Sequence, residues 1–129
     1  MAAQGGNAGN QSMTIVVRSL ALGEMELSDA WKALRHELTL GLIHGLLLGL
    51  TIGLIAWLWQ GSAALGLIIF LAMVANLIIS AVVGVLVPTT LQRLNVDPAL
   101  ASGVFVTATT DVMGFAIFLG LATLFLVSL

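Results

Sequence analysis

An all-α membrane fold is predicted by three observations. Of the 129 residues, 60% are hydrophobic and only 8% charged, and the mean hydropathy is +1.14, values that water-soluble domains do not reach. Three apolar runs, 38–59, 63–87 and 99–127, each hold the roughly 20 helical residues that a hydrocarbon core of about 30 Å requires. None of these runs alternates with the period of two that a membrane β-barrel would show, and lipid leaves no other way to pair backbone polar groups than a helix.

The elements follow in chain order. Residues 1–12 (MAAQGGNAGNQS) are polar and glycine-rich, the reverse of a signal peptide, and Met13 to Gly23 continue as a short apolar helix carrying Arg18. Residues 1–23 therefore read as a partial membrane helix, too short in its apolar part to span alone. In 24–37 the apolar Leu27, Trp31, Leu34 and Leu38 recur at spacings of three and four while Lys32, Arg35 and His36 lie elsewhere. That pattern predicts an amphipathic interfacial helix leading into the first span, with Ser28 as a candidate cap.

Gln60-Gly61-Ser62 is a short uncharged loop, so spans 38–59 and 63–87 are expected to form an antiparallel hairpin. Trp57 and Trp59 at the end of the first span suit an interfacial belt. Pro88 is expected to stop the second span. Asp97-Pro98 offers an acidic cap followed by proline at the first helical position, which starts the third span near Ala99. Arg18, Lys32, Arg35 and Arg93 all fall on the connections of one side, so the positive-inside rule places that side in the cytoplasm and the C-terminus outside.

Several function classes are excluded. The chain has no cysteine, hence no disulfide or thiolate metal site. Four Lys and Arg residues make no basic patch for nucleic acid, and the formal charge of −2 argues for no particular partner. No nucleophile stands beside a base and no phosphate loop appears, so an enzyme is not expected.

What remains is a set of small or polar flanks. Gly41, Gly45, Gly49 and Gly53 recur every four residues in the first span, as do Ala72, Asn76, Ser80 and Gly84 in the second, and Ala99, Gly103, Thr107 and Asp111 in the third. Such stripes are read as packing seams, with Asn76, Ser80 and Thr107 available for interhelical hydrogen bonds. Asp111 stands apart, about twelve residues and roughly 18 Å into its span, where a carboxylate costs at least about 2.5–3.5 kcal/mol. It must face a wet cavity, a cation or a hydrogen-bonding partner.

Thr107, Thr109 and Thr110 surround Asp111 with neutral oxygens, the surroundings hard cations prefer. One carboxylate with neutral oxygens suits a mostly hydrated magnesium ion, whereas bare calcium would need more carboxylates. His44, two turns after Glu37, is open to two readings: a proton relay or ligand, or a histidine hydrogen-bonded within the bundle.

GGNAGNQS at 5–12, RSLALGE at 18–24 and VDPALASGVFVTATTDVMGF at 96–115 resemble the MgtE magnesium channel family, and the resemblance covers essentially the whole chain. It implies a homodimer with five membrane helices per subunit and a magnesium-selective pore on the dimer axis. Residues 1–23 would then be the end of the second family helix, and the first helix, most of the second and the cytoplasmic regulatory region with its CBS modules would lie outside this chain. The chain is expected to be a fragment of a longer protein, with a split subunit as the alternative.

By the same resemblance Asp111 is the pore acid, Thr107 contributes its backbone carbonyl to the hydrated ion, and Asn7 of the GGNAG motif lines the pore. Gly103 occupies a pore position that is polar in the family and has no side chain to offer. Val104 stands where many members carry proline. The function expected is channel-like transport of Mg2+ across the cell inner membrane. The alternatives are a proton-coupled divalent cation transporter using Asp111 and His44, and a non-conducting accessory subunit.

Overall fold

The structure, a computed structural model, describes residues 1–127. The chain forms α1 (Ala2–Ala21), a 3-10 turn (Leu27–Asp29), α2 (Ala30–Gln60), α3 (Ala63–Arg93) and α4 (Pro98–Val127). The fold is all-α, and α2, α3 and α4 are long and apolar enough to cross a membrane. Each has about 30 residues, or about 45 Å of helix, so each exceeds the apolar thickness and carries its polar ends outward.

Local signals account for the connections. Gly61 takes φ 68°, the left-handed conformation glycine adopts without a steric penalty, and donates its N–H to the Trp57 carbonyl at 2.8 Å. Ser62 then caps α3 by accepting the Leu65 N–H at 3.3 Å, which closes the expected hairpin. Asp97 accepts the Ala99 N–H at 2.9 Å and starts α4 at Pro98, also as expected. Ser28 does not cap the helix entry. At the 3-10 turn Asp29 accepts the Glu26 N–H at 3.1 Å as half of a capping box, while the Ser28 hydroxyl donates to the Glu26 carboxylate.

Two boundaries differ from the linear reading. Pro88 does not end α3, which runs five residues further to Arg93. Proline has no N–H to offer the carbonyl four residues back, yet the helix continues, and the buried Thr89 hydroxyl beside it donates to Val85 O at 2.8 Å and Leu86 O at 3.1 Å. Likewise α2 passes from 37 to 38 without a break, so the amphipathic stretch and the first span are one helix.

α3 is the centre of the bundle. It packs against α2 on one side and against α1 and α4 on the other. Its stripe Ala72, Asn76, Ser80 and Gly84 is buried throughout. The glycine stripe of α2 meets α3 backbone directly: a Cβ on Gly41 would lie 2.8 Å from Leu77 O, on Gly45 3.0 Å from Val74 Cα, and on Gly53 2.8 Å from Gly66 O. These contacts pair rising α2 numbers with falling α3 numbers, so the two helices are antiparallel. α1 runs parallel to α3, with Gly5 at Asn76 and Gly9 at Ser80, and antiparallel to α4. The exposed Arg18, Lys32, Arg35 and Arg93 therefore gather at one end of the bundle.

Candidate functional site

α1 and α4 meet through small residues. Gly6 faces Thr110, with the position of a Cβ 3.7 Å from its Oγ1, and a Cβ on Gly9 would come within 2.8 Å of Val106. On α4 the contact stripe is Pro98, Ser102, Val106, Thr110 and Gly114, all buried. The stripe Gly103, Thr107 and Asp111 lies one residue further round the helix, about 100° away, beside α1 and open on its other side.

Across that line Asn10 Nδ2 donates to Thr107 Oγ1 at 3.1 Å, bridging residues 97 positions apart. A Cβ on Gly103 would stand 4.0 Å from Asn10 Oδ1, so the missing side chain leaves room for the Asn10 amide. Asn7, one turn before Asn10, is exposed, and Asp111, one turn after Thr107, is half-buried. Because the helices are antiparallel, those two residues fall near the same level. The four sequence-predicted residues thus share one face of the α1–α4 pair, which Asn10 completes.

Asn10 itself was missed by the linear reading, although the motif that contains it was singled out. The signal was the spacing: Asn7, Asn10, Gln11 and Thr14 recur at three and four, so α1 carries a polar stripe, and all four are at least partly accessible. α4 is continuous through Val104, the Thr107 carbonyl accepts the Thr110 hydroxyl at 3.0 Å, and what Thr107 presents to α1 is its own hydroxyl.

Other polar positions lie apart from the Asn10–Thr107 contact. Asn76 is fully buried and donates to Met1 O at 3.2 Å, an interhelical bond, while Ser80 Oγ donates within its own helix to Asn76 O at 2.7 Å. His44 is exposed and lines a cleft between α1 and α2, on the far side of α1 from Asp111. Among the described residues no group of three or more His, Asp or Glu side chains is gathered to hold a metal ion. One copy of the chain therefore brings a single carboxylate, with amide and hydroxyl groups, to the α1–α4 face.

The sequence profile of the MgtE divalent cation transporter family matches residues 1–121. The chain belongs to the MgtE family. It is 34% identical over 124 residues to the magnesium transporter MgtE of Bacillus subtilis, covering 96% of this chain and 28% of that protein. The magnesium transporters MgtE of Enterococcus faecalis and Thermus thermophilus are 35% and 37% identical over 121 and 122 residues, 94% and 95% of this chain. The chain spans just over a quarter of the length of these MgtE relatives.

Proposed function

We propose that the α1–α4 face lines a channel-like path for hydrated Mg2+ through the cell inner membrane, formed between two copies of the chain, with Asp111 as the pore acid. The observation that carries this reading is the Asn10–Thr107 hydrogen bond, which joins two helices into one polar face on the open side of the bundle. Asn7 and Thr14 are exposed on that face, and lipid is a poor neighbour for them. A second copy covers the face and supplies a second carboxylate, and the two acids attract a cation that keeps its own water shell.

Amides and hydroxyls at Asn7, Asn10 and Thr107 suit such an ion, since they exchange hydrogen bonds with its waters. Gly103 keeps the path wide where a side chain would narrow it. The cytoplasmic side is the end that carries Arg18, Lys32, Arg35 and Arg93, which puts the C-terminus outside. Residues 1–23 serve as the end of the second family helix, and 38–59, 63–87 and 99–127 as the spans.

Magnesium uptake into liposomes holding the full-length protein tests the reading. Flux is expected to follow the magnesium gradient and the membrane potential and to persist when the pH gradient is collapsed; flux that vanishes with the pH gradient would favour a proton-coupled carrier. Asn10→Ala removes the bridging amide and should raise the magnesium concentration for half-maximal uptake by about fivefold, the scale of one net hydrogen bond. An unchanged concentration dependence would remove Asn10 from the path.

A further inference from the structure

A second carboxylate lies inside the bundle, and the pore face does not use it. Glu37 of α2 is only 8% exposed and accepts a hydrogen bond from the Ser12 hydroxyl of α1, itself buried. A Cβ on Gly84 would come within 2.7 Å of Ser12 Cβ, so this pair sits at the Gly84 level of α3, nine residues from its Arg93 end. Ser12 is five residues from Asn7, roughly 7–8 Å along α1. Glu37 lines a cleft of about 90 Å³ with Gln11 and His44, and no Lys or Arg lines it. A carboxyl group buried to this extent is costly unless it is hydrogen-bonded, and a packing contact alone does not require one.

α1 is held in an unusual way. Its contacts with α3 and α4 run through Gly5, Gly6 and Gly9, which set how closely the helices approach but offer no side chain to fix rotation or axial position. Direction comes from polar ties: the Met1 carbonyl to Asn76 of α3 at the start of the helix, and, along it, Asn10 to α4 and Ser12 to Glu37 on α2. At 100° per residue Ser12 lies about 160° round the helix from Asn10, so these two bonds grip opposite sides of α1.

We propose that Glu37 is a positioning residue for the ion path: by holding Ser12 it fixes the rotation and height of α1 that set Asn7 and Asn10 beside Thr107 and Asp111. This rests on the reading of the α1–α4 face as the path. The carboxyl group suits the task because its oxygen accepts a directional hydrogen bond from the Ser12 hydroxyl.

The test compares Ser12→Ala, Glu37→Ala, Glu37→Gln and the Ser12→Ala/Glu37→Ala pair in the intact protein, reading half-saturating magnesium and maximal flux separately, with inserted protein and thermal unfolding measured alongside. Ser12→Ala and Glu37→Ala should each raise half-saturating magnesium about tenfold, and the pair should be no more than about twofold worse than either, because both remove one bond. Glu37→Gln keeps a carbonyl acceptor and should stay within about threefold of the parent.

A purely structural role would lower thermal stability or maximal flux and leave half-saturation in place, and that result overturns the proposal. So does a pair whose losses multiply. Ser12→Ala deletes one oxygen and decides the matter if Glu37→Ala fails to insert. Asp111→Ala in the same series separates the two ideas: if it conducts fully, the path itself is misassigned, and if it is inactive while Ser12→Ala binds magnesium normally, only the role of Glu37 falls.

Discussion

Asp111→Ala in the intact protein should abolish magnesium uptake, by a factor on the order of a hundred or more, without reducing the amount of protein in the membrane. A unit charge about 5 Å from a hydrated divalent ion contributes roughly 3 kcal/mol per ionic charge at an effective dielectric of about 20, and two copies would each lose one such charge. The same change relieves the roughly 2.5–3.5 kcal/mol that a mid-membrane carboxylate costs on insertion, so insertion should hold or improve. The opposite pairing of effects, full transport with poor insertion, would make Asp111 a structural group. Isotopic or fluorescent magnesium uptake normalised to inserted protein reads both quantities. Asp111→Asn keeps shape and hydrogen bonding while losing the charge, and should be nearly as inactive if attraction of the ion is the main role.

Gly53→Val should destabilise the bundle by about 3 kcal/mol or more, the upper range for overpacking, because the new Cβ would sit 2.8 Å from Gly66 O and 3.3 Å from Phe70 Cβ. The nearest atom belongs to backbone and cannot rotate away. The Gly66 side of the contact is as tight, with a Cβ there 2.7 Å from Gly53 O and 2.9 Å from Trp57 Cβ, so neither helix can yield to the other. Unfolding in mixed detergent, followed by tryptophan fluorescence at Trp57 one turn away, measures the loss. Gly120→Val is the matched control: nothing lies within 4 Å of that Cβ, and stability should change by no more than about 0.5 kcal/mol. Equal losses at Gly53 and Gly120 would mean that the lost stability reflects glycine in a membrane helix generally and not the α2–α3 seam.

Much of the architecture was legible along the chain because its signals are local. Hydropathy over some 20 residues marks a helix that lipid will accept, and the turn at Gly61 and the cap at Asp97-Pro98 each depend on residues within four positions. Asp111 was legible for a different reason: a carboxylate in the middle of an apolar run violates the pattern so sharply that one residue suffices. The glycine stripe of α2 announced a close contact. It could not name α3 as the neighbour, since a smooth face accepts any helix that presents another.

Glu37 shows where linear reading stops. In the sequence it follows Lys32, Arg35 and His36, and the company of charges makes it look solvated; in the structure those three are exposed and Glu37 alone turns inward to Ser12. Asn10 is similar, hidden in a motif whose other asparagine drew attention. Pro88 failed as a boundary because a membrane helix can continue through a proline where it is packed among neighbours, and α3 runs on to Arg93.

The sequence by itself determined that this protein is a set of membrane helices with one charged end and one isolated acid, since solvation energy and capping act over a few residues. Only the tertiary structure decided which faces meet: Asn10 with Thr107 across 97 positions, Ser12 with Glu37 across 25, and the α2 glycines with α3. Those pairings depend on helix rotation and register, which are set by close packing between distant segments and leave no mark on either segment alone.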